Sequence, residues 1–157
     1  MKLTHLPIII CILAATFTIQ AQQKAPVYEF KIITSVESVV PMGLGRSRMI
    51  ETEETRDYKN FTSNRTAEND KRNKSNREDI RIKNFEETKL LNFYNIAGIR
   101  FQNIVANDVI ITSKLNEMSE EGWELNFVSS AVESDAGKGD GNGLFITRYI
   151  FKRLKQQ

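Results

Sequence analysis

Residues 6–19 (LPIIICILAATFTI) form a largely apolar run behind one positive charge, Lys2, and ahead of the small residue Ala21. A cationic start, an apolar stretch of this length and a small exit residue read as a secretory signal peptide cut after Ala21. The run is shorter than the roughly 20 apolar residues that a relaxed bilayer crossing needs. What it carries limits the rest of the chain: Cys11 and His5 are the only cysteine and the only histidine. A mature chain starting at Gln22 therefore has no disulfide, no Cys/His zinc site, no thiol nucleophile and no histidine base. Cys11 sits inside the apolar run behind Ile10, where a lipidation signal would have a small residue, and reads as filler.

Loss of Lys2 leaves 21 Lys and Arg against 20 Asp and Glu. So balanced a charge gives no global field toward nucleic acid or an anionic membrane. Residues 22–157 suffice for one domain with a single core.

Residues 27–40 (VYEFKIITSVESVV) alternate with period two. Tyr28, Phe30, Ile32, Val36 and Val40 share one parity, and Glu29, Lys31, Ser35 and Glu37 the other, as in a half-buried strand with its apolar parity inward. Pro41-Met42-Gly43-Leu44-Gly45 breaks the strand, and residues 46–50 return as a second short one. Residues 51–83 then hold eight acidic and nine basic residues, with only Tyr58, Phe61, Ala67, Ile80 and Ile82 apolar. Such a stretch buries too little to offset its ordering entropy and reads as a charged, flexible insertion.

Asn84 with Glu87 has the form of a helix start, carrying Leu90, Leu91, Phe93 and Tyr94 as a buried stripe and ending at Gly98. Residues 99–104 alternate like a short strand. A second helix is capped by Asn107 or Asp108, aligns Ile111, Leu115 and Met118, and stops at a left-handed Gly122, with Trp123 reaching back to Met118. Residues 123–132 and 144–154 form a hairpin across the loop SDAGKGDGNG. In its strands Trp123, Leu125 and Phe127 share a parity, as do Phe145, Tyr149 and Phe151.

Tyr28-Glu29-Phe30-Lys31-Ile32, the turn Glu121-Gly122-Trp123-Glu124-Leu125 and the closing Tyr149-Ile150-Phe151-Lys152-Arg153 together resemble the domain-of-unknown-function 4177 family. Those small bacterial domains have a YEYKVV-like first strand, a GWEL turn and a last strand ending in Lys-Arg. The resemblance covers residues 27–36 and 110–154. It implies a compact sheet-and-helix fold in a longer, exported variant, and it brings no catalytic residues.

Three groups of residues are candidates for chemistry. Asp135, Asp140 and Asn142 stand among glycines and offer hard oxygen ligands for calcium, but the EF-hand spacing fails, since Asp140 takes the glycine position and Ile146 the bidentate-acid position. Gly43 and Gly45 with Arg46 and Arg48 could cradle an anion on backbone N–H groups, without the lysine of a P-loop. Glu51, Glu53 and Glu54 are the densest carboxylates, yet they stand where the chain turns polar and read as a solvated face rather than an acid pair. Arg148 and Lys152 share a parity and could form an exposed basic stripe, but such charges more often pair with cross-strand acids such as Glu124 or protect a sheet edge. The sequons at Asn60, Asn64 and Asn73 read as chance in an Asn-rich tract.

The expected fold is α+β: a small, mostly antiparallel sheet of the N-terminal strand and C-terminal hairpin, packed by one or two helices. The expected organisation is a signal peptide over residues 1–21 and one domain over 22–157 with its insertion at 51–83. The expected protein is exported, periplasmic or secreted, needs no cofactor and has no transmembrane anchor. It binds a protein, an envelope component or a small ligand rather than nucleic acid. The rival readings are a carboxylate-dependent envelope hydrolase and a calcium-stabilised surface protein.

Overall fold

The computed structural model describes residues 25–39, 47–133 and 143–156. The signal-peptide reading, Gly43, Gly45 and Arg46 of the anion candidate, and Asp135, Asp140 and Asn142 of the calcium candidate lie outside them. Two compact units are distinguished; of the described residues, 25–29 and 154–156 belong to the first, and those within 30–153 to the second. In the first, the Lys155 N–H donates to the Val27 carbonyl at 2.9 Å. The second carries the features described below.

The fold is α+β. β1 (Tyr28–Ser38), β2 (Arg48–Glu51) and β3 (Glu86–Lys89) join β6 (Glu124–Glu133) and β7 (Leu144–Leu154) in a five-stranded antiparallel sheet of order β3-β2-β1-β7-β6. β4 (Tyr94–Asn95) and β5 (Gly98–Ile99) form a separate small hairpin. The one-turn helix α1 (Arg77–Ile80) lies in the charged insertion, and the main helix α2 (Phe101–Glu120) packs on one face of the sheet.

Period-two alternation does make β1 a strand, but its faces are the reverse of the sequence reading. Ile33 (1% exposed), Ser35 and Glu37 point to the core, while Phe30 (62%) and Ile32 (51%) are open to solvent. The polar parity goes inward where α2 covers the sheet, Asn107 of the helix meeting Glu37 and Glu51 of β2 meeting Lys31. Register fixes the rest, since residues directly opposite each other share a face. Ser35 opposes the buried Met49, and Thr34 opposes Ile50 on the outer side.

The helix expected over residues 84–98 is absent. Glu86–Lys89 pairs with β2 instead, and Leu90 enters the core as its backbone N–H donates to the Ser47 carbonyl at 3.1 Å. The strand expected over 99–104 is likewise replaced, because α2 already starts at Phe101 after an N-cap at Arg100. Neither Asn107 nor Asp108 caps it. Ile104, Asn107, Ile111, Leu115 and Met118 recur at three and four positions and form its inner stripe, with Asn107, Ile111 and Met118 buried.

The helix end follows the sequence closely. Gly122 has φ +81°, its N–H reaches the Ser119 carbonyl at 3.0 Å, and the Trp123 N–H reaches the Met118 carbonyl at 2.9 Å. This is the Schellman pattern, with Trp123 packed against the cluster that contains Met118. The C-terminal hairpin also forms, but one extra residue interrupts it. Leu125 opposes Phe151 and Phe127 opposes Ile150, so Asn126 is bulged. Leu125 therefore faces the helix side and Phe127 the outer side, contrary to their shared parity in the sequence.

Residues 52–85 are held by local polar contacts rather than apolar burial. A 3₁₀ turn (Tyr58–Phe61) is capped by Asp57, whose carboxylate accepts from the Lys59 N–H at 3.0 Å. Asn73 joins two parts of the stretch, its N–H bonding Ser63 Oγ and its amide the Asn60 carbonyl, both at 2.7 Å.

Candidate functional site

The outer face of the sheet is an apolar surface left without a second layer among the described residues. β1 contributes Phe30, Ile32 and Val36, β2 contributes Ile50, β7 contributes Ile146 and Ile150, and β6 contributes Phe127 (59% exposed) and Ala131. Ile82 and Phe85, at the end of the insertion, stand beside Ile32, Thr34 and Ile50 and enclose a hollow of about 300 Å³. Arg148 of β7, opposite Ser129, stands on this face between Ile146 and Ile150, and further charges stand around the field. Arg48 pairs with Glu87 at 2.7 Å, and Lys152 with Glu124 at 3.5 Å, as the sequence anticipated for the final strand. Apolar ground with a polar rim is the anatomy of a docking surface.

On the helix side, a cavity of about 600 Å³ is lined by six glutamates and three lysines. At its centre lies Glu51. The sequence placed this residue at the start of a solvated stretch; it ends β2 instead, and its side chain is 11% exposed. Lys31 reaches it at 3.3 Å and Lys114 of α2 at 2.5 Å. Lys31 also holds Glu53, and Lys114 holds Glu117 at 2.9 Å. Burial pulls both lysines down in pKa, but their hydrogen bonds with Glu53, Glu51 and Glu117 outweigh it and the net shift is upward. The hydrogen bond from Lys31 holds the Glu53 carboxyl below its ordinary range, and one from Asn84 does the same for Glu54. A general acid needs the opposite shift. These carboxylates are suited to tying β1, β2 and α2 together, not to protonating a leaving group.

The carboxyl shifted upward is Glu37, raised by burial, against the opposing hydrogen bond from Asn107 and with added repulsion from Asp108. It is sealed beneath α2 in a polar clasp. The Asn107 amide donates to Glu37 Oε1 at 2.7 Å and to the Leu91 carbonyl at 2.8 Å, and its oxygen accepts the Leu91 N–H at 2.7 Å. Next to it, Ser47 Oγ accepts from the Ser38 N–H at 2.9 Å and donates to Asn92 Oδ1 at 2.8 Å. Asn103 adds a bond to the Asn92 carbonyl at 2.8 Å. The clasp fixes the 90–93 segment between helix and sheet, and none of the cavities described above is lined by it. Sequence reasoning missed it because its members lie up to 70 positions apart.

Of the anion candidate, only Arg48 is described, and it is engaged with Glu87. Among the described residues no group of three His, Cys, Asp or Glu side chains is placed to hold a metal ion, and no helix is long and apolar enough to cross a membrane. Compared with protein-family models, curated proteins and solved structures, the chain matches none.

Proposed function

We propose that this is an exported, non-enzymatic binding module that docks another protein on the outer face of its sheet. One observation carries the reading: Phe30, Ile32 and Phe127 stand open on a face whose opposite side is covered by a helix. Exposing large apolar side chains in a contiguous field costs solubility, and such fields commonly mark interaction sites. The 300 Å³ hollow between Ile32, Ile50 and Phe85 is sized for one large apolar side chain of the partner, the kind of anchor that dominates protein interfaces. Export rests on the apolar leader of residues 6–19. Kinship with the domain-of-unknown-function 4177 family belongs to the same proposal and rests on the three strand and turn motifs. The hydrolase reading is disfavoured by the lowered Glu53 and Glu54 and by the enclosure of Glu37.

Photo-crosslinking in the native envelope tests it. A benzophenone amino acid at Ile32 or Thr34 should give one discrete protein adduct, and the same group at Ser119 on the helix should give none. Adducts from Ser119 alone, or lipid adducts from Ile32, would refute the proposal.

A further inference from the structure

The two edges of the sheet are protected very differently. β3 presents Glu86, Glu87 and Lys89 in four residues, the charged guard that keeps an edge strand from pairing with strangers. β6, the other edge, is ten residues long, exposed throughout, and carries no charge between Glu124 and Glu133. Leu125, Phe127, Val128 and Val132 are open along it. Its one defect, the Asn126 bulge, lies near one end, leaving residues 127–133 as an unbroken ladder opposite β7.

We propose that a second copy of this chain pairs with that edge, forming a two-fold dimer through antiparallel β6–β6 contact centred on Ser130. The register follows from three constraints. Residues directly opposite must share a face, so a two-fold axis normal to the sheet passes midway between a residue and its own copy, and takes that residue's name. An axis at Ser129 sets Glu124 of one copy opposite Glu133 of the other. Their β7 partners, Lys152 and Leu144, lie four steps either side of Arg148, the partner of Ser129. Like charges directly opposite destabilise the pair. An axis at Val128 runs the bulge of each copy into the ladder. Axes at Ser130 and Ala131 avoid both, and Ser130 gives the longer ladder, residues 127–133 against 129–133, placing Val128 opposite Val132 twice, with Ser129 opposite Ala131. The two-fold operation also puts both outer apolar faces on the same side of one ten-stranded sheet. The dimer rests on the edge strand and not on the outer-face reading, so either can fail alone.

Sedimentation of the mature chain at tens of micromolar should give twice the mass of a single chain. Val128→Lys and Val132→Lys, both at exposed positions, should weaken dimerisation on the order of tenfold or more while leaving the circular dichroism melt cooperative. A Ser130→Cys chain in a Cys11→Ser background should crosslink under mild oxidation, and Ser129→Cys should not. This keeps the proposal decidable if the lysine variants fold poorly. A monomer at every concentration, a dimer indifferent to both lysines, or crosslinking through position 129 instead of 130 would overturn it. So would dissociation by Phe30→Ser alone, which would put the contact on the outer face.

Discussion

Asn107 is fully buried, and its carboxamide is the meeting point of helix, sheet and the 90–93 segment. Asn107→Ala would leave the Leu91 N–H, the Leu91 carbonyl and Glu37 without that partner. At about 1–3 kcal/mol per buried group so stranded, with partial relaxation, the loss should be roughly 3–5 kcal/mol by urea denaturation. Glu37 gives a pH signature. Burial raises its folded pKa, so the unfolded chain ionises first, and stability falls as pH rises from the ordinary carboxyl range through the folded value. Glu37→Gln keeps an oxygen for the Asn107 amide and removes the buried charge, which faces Asp108 and Tyr149. The variant should melt above wild type near about pH 7, and the advantage should vanish below about pH 4, where the wild-type carboxyl is protonated. A constant offset at all pH values would mean that Glu37 is not the source. Neither role was legible in the sequence, where Asn107 has the form of a cap and Glu37 of a solvent-facing strand residue. Both depend on partners brought together only by the fold.

Among the elements, the end of α2 was the most legible because its signal is local. A glycine three residues before Leu125 and an apolar residue directly after it dictate a left-handed stop. Gly122→Ala should cost about 1 kcal/mol through its positive φ. The cost is conformational, since an added Cβ would meet only the Arg153 side chain, at 3.8 Å. Trp123→Ala should cost roughly 3 kcal/mol, the low end for a large aromatic, because the ring is half-buried against the core and stacked under Arg153 at 4.2 Å. Thermal unfolding of the two variants checks both values. The segment before α2 was misread because Leu90, Leu91, Phe93 and Tyr94 have helical spacing. Their positions are set instead by the pairing of β3 with β2 and by the Asn107 clasp. The β6 bulge was equally invisible, since one added residue changes the facing of Phe127 without changing composition.

At the scale of the molecule, the order of strands and helix follows from alternation and turn signals, but alternation alone does not say which face of a sheet receives the helix. The apolar parity of β1 looked like core, and it is the surface. Lys31 and Glu37 turn inward because Glu51 and Asn107 are there to meet them. The consequence is a sheet with helix on one side and an open apolar field on the other, and that arrangement supports the binding proposal. Hydroxyl-radical footprinting tests it most directly, on the purified protein and on the protein in its native envelope. The account predicts fast oxidation of Phe30, Ile32 and Phe127 in the purified state, protection of the same residues in the envelope, and little reaction at Ile33 and Phe151 in either. Phe30 and Ile32 slow in the purified protein while Ile33 reacts, or an outer face equally reactive in both states, would contradict it.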